Sequence, residues 1–120
     1  MRYMKLDMHI HSNYSSDGSQ SVRDIARLAR KRGMDGIAVT DHNTLKGSQA
    51  ARRIAGDFNL LCVSGMEVSS SDGHMLAYCI DEPIPKGLSP EETIEKIHDY
   101  GGLSVNPPPS EPWSGPRGKI

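Results

Sequence analysis

A chain of 120 residues with 36% hydrophobic content and a mean hydropathy of -0.52 suits one small domain with a modest core, and no second domain is expected. Fourteen Lys and Arg against fifteen Asp and Glu leave a formal net charge of -1, which excludes broad electrostatic binding of nucleic acid and leaves room only for a local basic pocket. The opening MRYMKLDMHIHS has no apolar run of the kind a signal peptide needs, nothing downstream is long enough to span a bilayer, and Cys62 and Cys79 read as reduced and buried, so a cytoplasmic protein with no membrane partner is expected.

Leu6 to His11 alternates, with Leu6, Met8 and Ile10 on one face and Asp7, His9 and His11 on the other, the pattern of a half-buried strand. Asn13 to Gly18 is a polar loop, and Ser21 then offers an N-cap to a helix whose apolar residues are Val22, Ile25, Ala26, Leu28 and Ala29 and which Gly33 closes. Gly36 leads into Ile37 to Val39, a buried strand that delivers Thr40, Asp41 and His42. A second helix is predicted over Leu45 to Ala55, ended by Gly56. A third strand is predicted over Leu60 to Val63, running out past Gly65 towards Glu67.

Ser70 to Gly73 reads as a turn and His74 to Ile80 as a further strand. Ser89-Pro90-Glu91-Glu92 combines an N-cap, a proline at the first helical position and a capping-box glutamate, so a helix should run to about His98 or Tyr100. Gly101-Gly102 ends it, Leu103 to Val105 is a short strand, and residues 106–120 form a Pro/Gly-rich tail. There is no internal repeat. Strands alternating with helices predict βαβ units with parallel pairing and functional side chains at the C-terminal strand ends, where His9, His11, His42 and Glu67 fall.

His9 and His11 leave one face of a strand with Cα atoms roughly 6.6 Å apart, close enough for both imidazoles to reach one cation. The pair alone would suit a plain surface strand. Its weight comes from Asp17 in the next loop, Asp41-His42 after one strand, Glu67 after another, and His74 opening a fourth. Taken singly, Asp17 could form a turn, Asp41 could cap the following helix and Glu67 could be a solvated strand end. Together the nitrogen and oxygen donors, without thiolates, suit zinc, manganese or iron. His98, near a helix end, is left out as a carbonyl cap or a solvated side chain.

The segments Asp7-x-His9-x-His11-Ser12, Thr40-Asp41-His42-Asn43, Gly65-Met66-Glu67-Val68 and Gly73-His74 together resemble the PHP family, named for polymerase and histidinol phosphatase, over about Lys5 to Val105. The resemblance implies an α/β fold, a distorted (β/α)7, TIM-like barrel of parallel strands. It also implies a site for up to three divalent ions, zinc or manganese with iron as a further option, that hydrolyses phosphate esters. His9, His11 and Glu67 would hold a first ion, Glu67 and His74 a second, and Asp17 and His42 a third. In such a site adjacent cations position the phosphoryl group and lower the pKa of a bound water.

Two departures accompany the resemblance. Where the family has a His-Pro pair this chain has Pro108-Pro109, and the family's late Asp-x-His does not occur before Ile120, so each ion site lacks one expected ligand. Four or five strands cannot close a seven-stranded barrel, so the expected fold is a partial barrel, open or completed by a second copy or by a missing C-terminal part. The expected function is metal-dependent hydrolysis of a small phosphomonoester or nucleotide, with Arg117 or Lys119 touching phosphate. A degenerate module that binds metal without catalysis is the alternative. An amidohydrolase-type barrel also opens with His-x-His, but the later motifs fit PHP spacing better.

Overall fold

The computed structural model describes residues 3–106. Its first unit is a parallel sheet in the order β1 (Leu6–Ile10), β2 (Gly36–Val39) and β3 (Leu61–Cys62). Two helices connect these strands, α1 (Val22–Lys31) and α2 (Lys46–Ile54). Ser21 caps α1 by accepting from the Asp24 amide, as its sequence position predicts. All four residues of β2 are buried, as befits a strand covered on both faces: Ile37 and Val39 pack with Val22, Ile25, Ala29, Ala51 and Leu60, whereas Ala38 packs with Leu76 and Tyr78.

The second unit corrects the expectation of parallel pairing throughout. β4 (Gly65–Ser70), β5 (Gly73–Tyr78) and β6 (Leu103–Val105) form an antiparallel sheet. The reason is the length of the β4–β5 connection: a parallel return needs a crossover of a dozen or more residues, and only Ser71-Asp72 separates the paired ends Ser70 and Gly73. α3 (Pro90–Asp99), started by the full Ser89/Glu92 capping box, places Ile97 among Met66, Val68, Met75 and Ala77 on one face of this sheet. The opposite face carries Glu67, Ser69, His74, Leu76 and Tyr78 by the alternation of the two strands. A single parallel bridge, His42 with Glu67, joins the two sheets; its bonds run from the Glu67 amide to the Asp41 carbonyl and from the Asn43 amide to the Glu67 carbonyl.

Four further local expectations are revised. The predicted strand from Leu60 ends at Cys62, and Glu67 belongs to the separate β4, in its interior, not at a strand end. α2 does not stop at Gly56 but tightens into a 3-10 turn over Ala55–Phe58, which Asn59 terminates in the left-handed conformation at φ 56°. Cys79 is exposed, not buried.

The fourth revision concerns β1, whose strict alternation is broken by a bulge. Asp7 pairs with Ile37 and Ile10 with Val39, so Met8 and His9 together oppose the single residue Ala38. Ile10 packs on the helix side with Val22 and Ile25, and Met8 packs on the other side with Ala38 and Tyr78. Among the described residues no helix is long and apolar enough to cross a membrane.

Candidate metal centre

Six side chains from five segments meet at one end of the two sheets. His9, in the β1 bulge, and His11, just past the strand, both reach Glu67, and the Nε2 of each lies against Glu67 Oε1, at 2.9 Å and 2.7 Å. The loop after β1 turns back through hydrogen bonds from the Ser15 amide to the Ser12 carbonyl and from the Gly18 amide to the Ser15 carbonyl. That turn carries the Asp17 carboxylate to within 2.9 Å of His11 Nδ1 and 3.1 Å of His42 Nε2. On β5, His74 faces Ser69 across the hairpin and is therefore a diagonal neighbour of Glu67, with Nδ1 at 3.3 Å from Oε2. The imidazoles of His9, His11, His42 and His74 follow one another at centroid spacings of 5.2, 4.4 and 5.1 Å.

Glu67 is the hub. It is 4% exposed, which replaces the solvated-strand-end alternative, and two imidazoles share one of its oxygens while a third approaches the other. Burial pushes its carboxyl pKa up, but the hydrogen bonds from His9 and His11 and the nearby positive charge outweigh that, so the net shift is downward. For His11 burial favours the neutral ring; its contacts with Asp17 and Glu67 prevail, and its pKa is raised above the ordinary 6.5. Both ring nitrogens of His11 face carboxylate oxygens, which accept but do not donate, and this favours the protonated ring. Asp17 is lowered to about 2: burial raises it, and the Ser15 hydroxyl and the His11 and His42 rings bring it down.

Three overlapping donor groups result: His9, His11 and Glu67; His11, Asp17 and His42; and His42, Glu67 and His74. In each, one donor atom per residue lies within 4.8 Å of the others. The donors are imidazole nitrogens and carboxylate oxygens, grouped around the buried Glu67 with His9, Asp17 and His74 on the exposed side, and a divalent cation would place its charge where each group converges. Relative to the sets implied by sequence, His42 joins Glu67 and His74, and His11 joins Asp17 and His42. His98 lies apart, exposed in the last turn of α3. Pro108, Arg117 and Lys119 fall outside the described residues.

Several supporting groups complete the site. Asp41 is fully buried and caps no helix; the N-cap of α2 is Leu45, which has no capping side chain, and Asp41 instead accepts from the Ser12 amide at 2.6 Å and the Ser12 hydroxyl at 2.7 Å. This ties the end of β1, beside His11, to the end of β2, beside His42. Asn43, at φ 54°, donates from its side-chain Nδ2 to Ser69 Oγ and accepts at Oδ1 from the Ser69 backbone amide, fixing the backbone between His42 and β4. Ser15, which donates to Asp17 and accepts from the His42 amide, carries no sequence signal beyond its place in a Ser-rich loop.

An α/β scaffold that gathers histidines and carboxylates at one end of its strands is the arrangement of a metal-centre protein, and the likenesses below place it with the metal-dependent phosphoesterase-like proteins. Within that class, the model of the PHP domain matches residues 7–100, and the chain belongs to the PHP domain family. An uncharacterized protein of Methanocaldococcus jannaschii is 40% identical over 91% of this chain and 70% of its own length. The phosphoribosyl 1,2-cyclic phosphate 1,2-diphosphodiesterase of Eggerthella lenta is 34% identical over 66% of this chain, and only 32% of its own length is covered.

Among solved structures, a two-domain protein of Bacteroides vulgatus containing a PHP-like metal-dependent phosphoesterase superposes with a TM-score of 0.74 at 21% identity, over 84% of this chain and 34% of that one, and shows the shared fold. A protein of Bifidobacterium adolescentis assigned as a metal-dependent phosphoesterase gives 0.60 at 28% identity, over 82% and 33%. An amidohydrolase of Chromobacterium violaceum with bound sulfate and no metal also gives 0.60, at 26% identity over 79% and 32%. The chain thus spans about a third of the length of these structures and of the diphosphodiesterase.

Proposed function

We propose that this chain carries the metal centre of a hydrolase that cleaves phosphate esters, either a small phosphomonoester or a nucleotide. The observation that carries this reading is the single buried Glu67 shared by His9, His11 and His74. A carboxylate set between imidazoles in this way is suited to bridge two cations a few ångströms apart. Zinc or manganese, with iron as a further option, fits the donor set. His9, His11 and Glu67 would hold one ion, His42, Glu67 and His74 a second, and Asp17 with His11 or His42 a third. Bound ions would supply charge to orient the phosphoryl oxygens and acidify the attacking water.

The protein's own contribution is to hold the donors. Asp41 and Ser12 lock the two strand ends, Ser15 orients Asp17, and the Asn43–Ser69 pair fixes the approach of β4. The phosphodiesterase among the relatives supports an ester of phosphate over an amide. Arg117 and Lys119 remain the proposed phosphate contacts from the tail.

The free edges of β1 and β6 carry Leu6, Leu103 and Val105 at 41%, 61% and 45% exposure. These edges suit further strands that complete a TIM-like barrel, supplied by the remainder of a longer chain or by a second copy. Light scattering distinguishes the two, because a dilute monomer counts against the second copy.

Turnover of p-nitrophenyl phosphate and its bis-ester, in EDTA and with added manganese or zinc, tests the activity. Metal-dependent hydrolysis lost in His9→Ala is the expected result. Metal binding without turnover under every condition would reject the enzyme in favour of a module that holds metal without chemistry.

A further inference from the structure

The β1 bulge raises a question that the metal centre does not answer: what holds it. In a regular strand, one residue of β1 would oppose each residue of β2. Here Met8 and His9 share Ala38, and this extra residue lets Asp7 and Ile10 both face α1 while His9 and His11 face Glu67. Removing the bulge slides the register by one and turns one set or the other to the wrong face.

The group that meets the bulge comes from the other sheet. Tyr78, 6% exposed, is the last residue of β5 and lies on the same face as His74 and Leu76. Its ring packs with Ala38 and Leu76, against Met8, and its hydroxyl donates to the Met8 carbonyl at 2.5 Å. The space for that ring exists because its partner across the ladder is Gly65: a Cβ there would sit 3.1 Å from Tyr78 Cδ1 and 2.9 Å from the Ala77 carbonyl oxygen. Tyr78 therefore spans the gap between the sheets. It fastens the backbone of the residue before His9 to the hairpin that carries Glu67 and His74.

We infer that Tyr78 is a positioning residue for the metal centre, its hydroxyl pinning the β1 bulge so that His9 and His11 converge on Glu67. The inference rests on the metal-centre reading above and concerns residues that never touch the ion. The phenol lies one backbone carbonyl away from the His9 residue and acts on its aim. Burial, with Glu67 and Asp7 adding negative charge nearby, raises the Tyr78 pKa and keeps the phenol a donor.

The test is the affinity of the metal-free protein for zinc and manganese, read by calorimetry and by competition with a chromogenic chelator. Tyr78→Phe keeps the packed ring and removes only the donor. We expect roughly a tenfold to hundredfold loss of affinity, the range for groups that orient ligands without binding metal. Tyr100→Phe, away from the bulge, should leave affinity unchanged. A merely structural role would lower the melting temperature of Tyr78→Phe and leave metal affinity, measured well below that temperature, as in the wild type; that result overturns the inference.

Site-specific 3-fluorotyrosine at position 78 supplies a second, near-isosteric variant should Tyr78→Phe not fold. Its more acidic hydroxyl is a stronger donor, so affinity should be held or raised, and the imidazole 15N resonances of His9 and His11 should move while those of His98 do not. Unmoved His9 and His11 resonances would overturn the inference as well. A wild-type protein that binds neither metal would instead overturn the metal-centre reading, and the role of Tyr78 with it.

Discussion

Gly47 offers a test in which two local rules oppose each other. It is the second residue of α2, where helix propensity alone favours alanine by up to about 1 kcal/mol. Its position, however, is packed against the Asp41–Ser12 pair: a Cβ would lie 2.0 Å from Asp41 Oδ2, 2.7 Å from Ser12 Oγ and 3.1 Å from Val39 Cγ1. Neither oxygen is at the end of a long flexible chain, and both belong to fully buried side chains. Overpacking costs about 1–3 kcal/mol. Displacing the Ser12 hydroxyl from a buried carboxylate adds about 1.5–3 kcal/mol.

Set against the propensity gain, Gly47→Ala should therefore destabilise by about 3 kcal/mol, within a range of about 1.5–5. For a chain of this size that corresponds to a fall in Tm of roughly 12 °C. The assay is thermal unfolding in EDTA by circular dichroism, beside Gly56→Ala, where nothing lies within 4 Å of the added Cβ and the change should be neutral or slightly stabilising. Metal affinity should fall with Gly47→Ala too, because the displaced pair joins the strand ends that carry His11 and His42. If the two variants melt within about 2 °C of each other, the close packing around Asp41 is not what secures the site.

Glu67→Gln should lower zinc and manganese affinity by more than about 100-fold in calorimetry, since it removes the buried carboxylate shared by two of the three groups; retained affinity would mean that Asp17 and the histidines suffice. The metal-free protein should be most stable between about pH 4.5 and 6.5. The raised His11 contributes stability that is complete below its unfolded value of 6.5 and lost as pH rises through the folded value. The lowered Asp17 and Glu67 contribute above 3.8 and 4.5 and lose that contribution as pH falls, for Asp17 towards about 2. Melting in EDTA that improves steadily up to pH 8 would contradict this. Ser89→Ala breaks the capping box of α3 and should cost about 1 kcal/mol in urea titration, with no change in metal affinity because α3 contributes no donor.

The ligand-bearing residues were legible because they are local signals. His9 and His11 need only a strand period of two, Ser21 and Ser89 only their capping positions, and His42 only the end of an apolar run. The bulge was not legible: Leu6 to His11 satisfies perfect alternation on paper, and the extra residue appears only when Ala38 is seen to face both Met8 and His9. The same holds for Tyr78 and for Asp41. A tyrosine in an apolar strand reads as core, and an aspartate before a helix reads as a cap, until residues 70 and 29 positions away in sequence supply the Met8 carbonyl and the Ser12 donors.

The antiparallel β4–β5 hairpin is a different case, because the sequence contained the deciding fact. Ser70 to Gly73 reads as a turn, and a connection that short forbids a parallel return. The consequence reaches the site. In the parallel sheet β1 and β2 present His11 and His42 just beyond their C-terminal ends, so a parallel β5 would carry His74, its second residue, to the opposite end of the strands. Reversing β5 brings that second residue back beside Ser69 and within 3.3 Å of Glu67. His74 therefore reaches the metal centre from the start of a strand for the same reason that His42 reaches it from the end of one: strand direction decides which terminus faces the site.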